Sequence, residues 1–342
     1  MPLLIRSGAV FYMYTQKKIL ITGGTGTIGR HLLKTILTYS PTVVRIYSRD
    51  EHKQYEMQQE FKEFTNIRYL IGDIRDEVRL LRAMEDIDYV FHLAAMKHVP
   101  ACEYNPFEAV KTNVLGTQNV IQAAIAAKVK KVLFTSTDKA ISPTNTYGAT
   151  KLTSERLISA AEYQKGPKQT VFSSVRFGNV MSSRGSVIPL FKKQILEDRC
   201  ITVTDLKMKR YMMTPTQAIS LMLKANELAK GGEVFVLKMP VINLKDLAEV
   251  MIEKVSEKYG ITEQVEIKEI GLRPGEKMYE ELMSDDEVRG SLETSEMYII
   301  PSHFTDHEYS EAVRTLAMPS IETDAYIGKD VLGEWLLSEK LI

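Results

Sequence analysis

The first half of the chain alternates between short apolar runs rich in β-branched residues and longer segments with apolar residues at helical spacing. The short runs are typical of buried strands, and segments such as 28–37 and 106–127 are typical of amphipathic helices. Because parallel strands are joined by crossover helices, this alternation predicts an α/β fold in which a doubly wound parallel sheet carries helices on both faces. The predicted strands are 18–22, 43–48, 67–72, 89–94, 131–137 and 170–177.

The alternation stops after Gly178, where loops and short helices follow, with one strand-like run at 233–237. We therefore expect a sheet domain over 17–180, a smaller C-terminal substrate lobe mainly over 181–290 with a sheet strand near 233–237, and a region of unassigned role over 291–342. Residues 1–16 precede the first strand and are either a floppy extension or an over-long start with Met13 as the initiator. In open parallel sheets the ligand lies beyond the carboxyl ends of the strands, so functional residues should follow the strands.

Charge and cysteine content exclude several classes of function. The 44 Lys and Arg residues balance 44 Asp and Glu residues, which predicts no nucleic-acid partner. Cys102 and Cys200 are too few for a disulfide framework and too far apart for the usual zinc spacings, so we expect no metal site and a reducing compartment. No apolar run reaches the length of a membrane span, which predicts a cytoplasmic protein without a membrane partner.

A glycine-rich turn of the form G-x-x-G-x-x-G follows the first predicted strand directly and leads into a helix. Glycines let the backbone approach a pyrophosphate, and the helix amino terminus presents N–H groups and a partial positive charge to it. With both flanks correct, the turn predicts a dinucleotide site of the Rossmann type; the alternative is an ordinary glycine turn between strand and helix. The expected cofactor contacts are Gly23, Thr25, Gly26, Thr27, Ile28 and Gly29.

The residues after the second and third strands bear on the adenosine end of that cofactor. The second strand ends in Ser48-Arg49-Asp50, and a hydroxyl followed by a guanidinium suits the 2′-phosphate of NADP, which an acid in the first position would repel. The alternative is that Arg49 is a solvated surface charge and Asp50 binds the ribose. Asp73 and Ile74 follow the third strand, where Asp73 can accept a hydrogen bond from the adenine amino group.

A tyrosine and a lysine four residues apart come soon after the fifth strand. Tyr147 and Lys151 share a helix face at this spacing. A lysine ammonium beside a phenol lowers the pKa of the phenol, which can then take a proton from a sugar hydroxyl as hydride leaves. The alternative is that the pair only packs, but its place after strand five of a sheet with the glycine turn favours catalysis.

Asp138 and Lys139 stand at the end of the fifth strand and add a function that a plain dehydrogenase does not need. A carboxyl can protonate a departing hydroxyl, and an amine that burial keeps neutral part of the time can remove a proton next to a carbonyl. Together they indicate elimination. The alternative is an aspartate that caps the next helix and a lysine in solvent.

Eight segments of the chain together resemble one family, the inverting UDP-N-acetylglucosamine 4,6-dehydratases, which are extended short-chain dehydrogenase/reductase proteins of bacterial surface-glycan pathways. The most specific are Ser-Thr-Asp-Lys at 136–139 and Arg-Pro-Gly-Glu-Lys at 273–277, and the likeness extends over residues 17–282. It covers no motif in 291–342. The segments are 22–29, 48–51, 92–100, 136–140, 147–151, 176–180, 183–189 and 273–277.

The resemblance implies a catalytic role for each residue of this cluster. Tyr147 assists oxidation at carbon 4 of the sugar, and Lys151 holds the nicotinamide ribose. Thr137 lies against the sugar, Asp138 expels the carbon 6 hydroxyl as water, and Lys139 is the base at carbon 5. Hydride then returns to carbon 6 and carbon 5 is inverted, so the cofactor is regenerated and stays tightly bound. Ala94 and Ala95 are placed at the cofactor.

The resemblance also implies a UDP-sugar substrate and a homo-oligomer, either a dimer or a hexamer. Arginine forks suit phosphate and a carboxylate suits paired hydroxyls. For Lys97, after the fourth strand, the alternative is a solvated lysine. The residues placed at the substrate are Lys97, Asn179, Val187, Thr204, Arg210, Arg273 and Glu276.

Two other functions remain open at this point. A UDP-hexose 4-epimerase also uses the tyrosine, the lysine and a bound nicotinamide, but it has no need for Asp138 and Lys139. A non-catalytic NADP-sensing regulator could be built on the same sheet, although such proteins typically lose the tyrosine and lysine pair that this chain keeps.

Overall fold

The computed structural model describes residues 8–181, 183, 185–272, 275–302, 307–309 and 312–342. Its centre is a ten-stranded sheet with the order β15-β13-β14-β10-β6-β5-β4-β1-β2-β3. The seven strands from β10 to β3 in this order pair in parallel, whereas β14, β13 and β15 pair antiparallel at one edge. The sheet strands are β1 (Lys18–Thr22), β2 (Val43–Ser48), β3 (Ile67–Ile71), β4 (Tyr89–His92), β5 (Lys131–Thr135), β6 (Val171–Arg176), β10 (Val234–Leu237), β13 (Leu292–Glu293), β14 (Met297–Ile300) and β15 (Val313–Arg314).

The predicted doubly wound α/β sheet is therefore confirmed, including the strand near 233–237. The strands are buried on both faces, so successive residues enter different cores: Ile19 and Ile21 pack in one, and Leu20 packs in the other. Near-continuous apolar runs are what such burial requires. The helices over the sheet are α1 (Gly8–Tyr14), α2 (Thr27–Leu37), α3 (Glu51–Glu60) and α10 (Pro215–Leu228) on the first core and α4 (Glu77–Met84), α7 (Gly116–Ala126) and α8 (Thr146–Gln164) on the second.

A second lobe holds two small sheets and a separate apolar core. β7 (Asn179–Val180), β9 (Lys209–Met213) and β11 (Val241–Asn243) form one sheet, and β8 (Cys200–Val203) and β12 (Glu266–Glu269) form the other. Its helices are α9 (Val187–Glu197), α11 (Leu244–Tyr259) and α13 (Lys329–Ser338), and all three contribute buried side chains to this core. The remaining short helices are α5 (Val99–Tyr104), α6 (Pro106–Ala109) and α12 (Asp285–Gly290).

The helix predicted over 106–127 is divided. A π-helical turn, Val110–Leu115, separates α6 from α7. The Asn113 carbonyl in this turn accepts hydrogen bonds from Thr117 Oγ1 (2.6 Å) and Ser154 Oγ (2.7 Å). Its side-chain amide bonds the backbone of Met96 at 2.8 and 2.9 Å. The wider turn therefore ties the segment after β4 to α8, and both of these contribute to the cavity described below.

Both ends of the described chain differ from the sequence expectation. Residues 8–14 form α1 and are not a floppy extension: Tyr14 is fully buried, and its hydroxyl accepts a hydrogen bond from Asn226 Nδ2 in α10 at 2.7 Å. Within 291–342, whose role the sequence left unassigned, β13, β14 and β15 complete the sheet and α13 packs on α11. Within the described ranges, no helix is long and apolar enough to cross a bilayer.

Candidate active site

The glycine turn after β1 has the geometry of a pyrophosphate cradle. Gly23 has a φ of +68°, and a Cβ there would lie 2.8 Å from the Ala94 backbone. A Cβ on Gly29 would lie 2.4 Å from the Gly24 carbonyl oxygen, so only glycine lets α2 approach the turn. Gly26, the N-cap of α2, has no side chain with which to cap the helix. The first-turn amides therefore face the turn, as anion binding requires.

The carboxyl ends of β2 and β3 bring three predicted adenosine-site residues together. The Arg49 guanidinium is more than half exposed and lies 3.5 Å from Asp73 Oδ2. Ser48 Oγ accepts a hydrogen bond from Gln54 Nε2 at 3.0 Å. The Asp50 carboxylate accepts the Lys53 amide as the N-cap of α3, at 3.0 Å. The Asp50 side chain therefore caps α3, and Arg49 and Asp73 are the charged side chains left to face the adenosine end of a cofactor. Ile74 is buried beside them.

The β5 carboxyl end turns at once into a single 3₁₀ turn, Asp138–Ala140, with Thr137 as its N-cap. Thr137 Oγ1 donates to Asp138 Oδ1 at 3.0 Å, and Lys139 Nζ donates to the same oxygen at 3.0 Å. Asp138 is fully buried. Its Oδ2 has no hydrogen-bond partner among the described residues and lies where a Cβ on Gly178 would be 2.9 Å away. One carboxylate oxygen is thus engaged and the other is unsatisfied.

Helix α8 presses against this turn at Gly148. A Cβ there would lie 2.1 Å from the Lys139 carbonyl oxygen and 3.0 Å from its carbon. The absence of a side chain at Gly148 therefore sets how closely the helix that carries Tyr147 approaches the turn that carries Asp138 and Lys139.

We expect Gly148→Ala to destabilise the protein by about 1–3 kcal/mol, as overpacking does, and to lower turnover because the Lys139 turn must move. Chemical unfolding and product formation measure the two effects. Gly290→Ala is the matched control, because a Cβ at that helix end meets nothing within 4 Å. An unchanged unfolding midpoint in Gly148→Ala would contradict the tight approach.

Tyr147 and Lys151 lie one turn apart on α8, as predicted, but they interact less directly than we expected. Burial raises the pKa of Tyr147 to about 12, and the groups that oppose this shift are the charge of Lys139 and a hydrogen bond with Thr137. Lys151 Nζ instead donates to the Thr135 carbonyl oxygen at 2.6 Å and lies over the Phe134 ring. Burial lowers the pKa of Lys151 to about 7. In this structure Lys139, not Lys151, is therefore the main charge that favours the phenolate.

The Lys139 ammonium lies between two carboxylates. Asp138 Oδ1 is 3.0 Å away and Glu280 Oε1 is 3.5 Å away. Burial lowers the pKa of Lys139, but the two carboxylates outweigh it, so the net shift is upward. The sequence analysis considered burial alone, which lowers the pKa of Lys139, and did not include Glu280, which acts in the opposite direction. The side chain is about one-fifth exposed.

A cavity of about 390 Å³ opens where the carboxyl ends of β4, β5 and β6 meet the second lobe. This volume is in the usual range for small-molecule sites. Asp138 and Lys151 are buried and are not in its lining. Asp138 contacts the lining residue Lys139, and Lys151 donates to the Thr135 carbonyl oxygen. The predicted residues in the lining are Ile28, Lys97, Thr137, Lys139, Tyr147, Asn179, Val187, Thr204, Arg210 and Glu276.

Arg210 lines the cavity but is committed to the protein backbone. Its guanidinium donates to the carbonyl oxygens of Lys209 (2.8 Å), Lys277 (2.7 Å) and Met278 (2.7 Å). It is also 3.8 Å from the Glu276 carboxylate. Instead of standing as a free phosphate fork, Arg210 fixes the segment that carries Glu276. Arg273, predicted to bind phosphate or ribose oxygens, lies outside the described residues.

Lys97 reaches the same cavity from the segment after β4. Lys97 is exposed, yet partial burial and the nearby charge of Lys139 both lower the pKa of Lys97. The alternative of a solvated lysine stays open, with Lys139 close enough to act on its charge.

Three cavity residues were missed by the sequence analysis. Ser136 Oγ and Ser186 Oγ are buried and have no hydrogen-bond partner in the described part of the chain. Glu280 is 5% exposed, and burial raises its pKa. Both serines lie within motifs that the sequence analysis named, 136–140 and 183–189, so their hydroxyls could have been included. Glu280 lies in an irregular segment four residues after Glu276 and has no local signal.

The sequence of this chain is similar to those of several known proteins. Residues 19–302 match the model of a family described as polysaccharide biosynthesis protein. An uncharacterised membrane protein of Methanocaldococcus jannaschii is 50% identical over 86% of this chain and 88% of its own. The inverting UDP-N-acetylglucosamine 4,6-dehydratase of Campylobacter jejuni is 44% identical over 89% of each chain. A UDP-glucose 4-epimerase of Rickettsia felis is 40% identical over 87% of each.

Solved structures confirm the fold. Pen from Bacillus thuringiensis is 57% identical, with a TM-score of 0.90 over 96% of this chain and 99% of that one. A dTDP-glucose 4,6-dehydratase from Streptomyces venezuelae, solved with NAD, has a TM-score of 0.69 at 20% identity over 80% of this chain and 90% of that one. The chain therefore belongs to the polysaccharide biosynthesis protein family, whose fold it shares with nucleotide-sugar dehydratases and epimerases.

Proposed function

We propose that the chain is a UDP-N-acetylglucosamine 4,6-dehydratase that inverts carbon 5. The reaction oxidises carbon 4, eliminates water across carbons 5 and 6, and returns hydride to carbon 6 while a proton adds to carbon 5 from the opposite face. The product is a UDP-2-acetamido-2,6-dideoxy-hexos-4-ulose for surface-glycan biosynthesis, and the proton that Tyr147 takes from the carbon 4 hydroxyl balances the one returned to carbon 5. The observation that carries the proposal is that Lys139, which is paired with the buried Asp138 at the end of β5, lines the same cavity as Tyr147. An epimerase has no use for this acid and base.

The fit of a nicotinamide dinucleotide rests on the glycine cradle, where a Cβ on Gly23 or Gly29 would collide with backbone. Gly23 to Gly29 would hold the pyrophosphate, with Ala94 and Ala95 beside it. Bound there, the cofactor supplies a reversible hydride acceptor. Tyr147 removes the proton of the carbon 4 hydroxyl, and the positive charge of Lys139 favours its phenolate. Lys151, buried one turn away, is assigned to the nicotinamide ribose.

The elimination step can use the Asp138–Lys139 ion pair without change in its total proton count. A proton that moves from the Lys139 ammonium to Asp138 across their 3.0 Å hydrogen bond gives a neutral amine and a carboxylic acid. The amine then takes the carbon 5 proton, which the carbon 4 ketone acidifies, while the acid protonates the departing carbon 6 hydroxyl. The pair returns to ammonium and carboxylate. Asp138 itself is not in the cavity lining, so the proposal requires its unpartnered Oδ2 to become accessible to the sugar.

The UDP part of the substrate would occupy the side of the cavity formed by the second lobe. Ser186, whose hydroxyl lacks a partner within the described residues, precedes the amino terminus of α9. That helix start suits a diphosphate. Asn179, Val187 and Thr204 line the same wall, with Arg273 assigned to phosphate or ribose oxygens. Glu276 suits ribose hydroxyls, and Lys97 and Thr137 suit the sugar.

The proposed cofactor is NADP, on the strength of Arg49. Because Asp50 caps α3, it is a weaker candidate for the ribose than the exposed guanidinium. We expect Arg49→Ala to weaken NADP binding by about 10- to 100-fold, the value of a charge-assisted hydrogen bond, and to leave NAD binding nearly unchanged.

Titration calorimetry on protein stripped of nucleotide measures both affinities. Arg68→Ala, an exposed arginine on β3, is the control. A wild-type protein that binds NAD more tightly than NADP would contradict the cofactor assignment and leave the dehydration proposal intact.

Incubation with UDP-N-acetylglucosamine followed by proton NMR tests the function. The proposal predicts a new methyl doublet from carbon 6. The second candidate is a UDP-hexose 4-epimerase, favoured by the likeness to the Rickettsia felis protein. A galacto-configured product without a methyl signal would establish the epimerase and overturn the dehydratase.

A further inference from the structure

Glu280 is a buried carboxylate at the cavity that the reaction described above does not use. Glu280 Oε1 lies 3.5 Å from Lys139 Nζ. The residue belongs to the irregular segment that follows Glu276. Its side chain is 5% exposed and lines the cavity. A charge that is removed from water so completely needs a compensating partner, and Lys139 is that partner.

The segment that carries Glu280 is fixed on both sides. On one side, Arg210 binds the carbonyl oxygens of Lys277 and Met278 at 2.7 Å each. On the other, the buried Arg176 donates to the Leu282 carbonyl oxygen at 2.9 Å and pairs with Glu155 of α8. Glu280 is therefore held against Lys139 by contacts that also reach the helix carrying Tyr147. Such support is what a preorganised charge requires.

We propose that Glu280 is a positioning residue, which holds the Lys139 side chain in the cavity and keeps the shared proton on the Asp138–Lys139 pair. The catalytic consequence of this role rests on the function proposed above, whereas the contact between Glu280 and Lys139 does not depend on it. With two carboxylates on one ammonium, the pair keeps its proton to higher pH than Asp138 alone would allow. Loss of that proton would leave no acid for the departing hydroxyl.

The other charges around these two residues have known signs. Arg210 opposes the protonated state of Lys139. Arg210 and Lys277 both favour the ionised state of Glu280, and Asp138 opposes it. Lys97 is close enough to Lys139 for each charge to disfavour the other. Since these groups are unchanged when Glu280 alone is replaced, the effect of its carboxylate can be measured separately.

The test is the pH dependence of Lys139 acylation by acetic anhydride, measured by peptide mass spectrometry on the full-length protein. Only the free amine reacts, and the exposed Lys62 serves as an internal standard. We expect Glu280→Gln to move the labelling curve of Lys139 to lower pH by about one unit or more. Glu280→Asp, which keeps the charge, should restore most of the wild-type curve. Glu281→Gln, outside the cavity lining, should leave the curve unchanged.

A second readout connects the contact with catalysis. The basic limb of the kcat profile should move to lower pH in Glu280→Gln, by an amount similar to the labelling shift, while KM changes by less than about threefold because Glu280 acts through Lys139. An unshifted labelling curve in a folded Glu280→Gln protein would overturn the inference. A shifted curve in a protein whose wild type makes no 6-deoxy product would support the inference and refute the proposed function.

Discussion

Replacement of Lys139 by methionine is expected to lower the rate of 6-deoxy product formation by about 10²- to 10⁴-fold, the usual contribution of a general base. In the proposed reaction Lys139 takes the carbon 5 proton, and its ammonium, which donates to Asp138 Oδ1, is the source of the proton that Asp138 delivers. Without Lys139, the carbon 5 proton has no base to take it and Asp138 has no source for the proton that it gives to the carbon 6 hydroxyl. Product is measured by NMR, and exchange of the carbon 5 proton with deuterated solvent should stop as well.

Lys62→Met is the matched control for this substitution, since Lys62 is exposed just beyond α3, away from the cavity. Methionine keeps much of the length of the lysine side chain. The free energy of unfolding of Lys139→Met shows whether the protein stays folded when the buried Asp138 has lost its ion-pair partner. Product formation by Lys139→Met within about threefold of the wild-type rate would remove the proposed base.

Tyr147→Phe is expected to block the reaction one step earlier, with a loss of similar size, about 10²- to 10⁴-fold. Phenylalanine keeps the ring on α8 but cannot take the proton of the carbon 4 hydroxyl. In a single turnover, therefore, no reduced cofactor should accumulate in Tyr147→Phe. Lys139→Met should still oxidise the sugar, although more slowly, because the charge of Lys139 also favours the Tyr147 phenolate. Absorbance of the reduced nicotinamide distinguishes the two variants.

Tyr163→Phe makes the same chemical change on the same helix, at a side chain that is 70% exposed. It should turn over at the wild-type rate. Accumulation of reduced cofactor in Tyr147→Phe at that rate would show that another group takes the carbon 4 proton, for which Lys97 is the cavity residue with a lowered pKa.

The parts of the fold that could be predicted are those with a local signal. β1 and β2 lie where the apolar runs predicted them, and the predicted third, fourth and fifth strands end one or two residues early. Those early ends have a physical cause: the chain leaves the sheet where residues such as Ser136 and Thr137 must turn toward the cavity. The strands β13 and β15, two residues each, have no periodicity to detect and are defined only by antiparallel pairing, of β13 with β14 and of β15 with β13.

The candidate site was predictable to the same extent. The glycine turn, Tyr147, and Asp138 with Lys139 follow strands of the sheet, and parallel strands bring such residues to one edge. Contacts from distant segments were not predictable. Arg210 was expected to bind phosphate, but the backbone carbonyls that it binds belong to a segment whose position no local pattern reveals. Glu280 was missed for the same reason, so the sequence analysis lacked a carboxylate that raises the pKa of Lys139.

The most direct test of the account follows a single hydrogen atom. UDP-N-acetylglucosamine carrying deuterium at carbon 4 is incubated with the wild-type protein, and the product is examined by mass spectrometry and NMR. Oxidation at carbon 4 with elimination and hydride return predicts a 6-deoxy-4-keto product with the deuterium in its methyl group. Deuterium retained at carbon 4 of a hexose that still carries its carbon 6 hydroxyl would contradict the account.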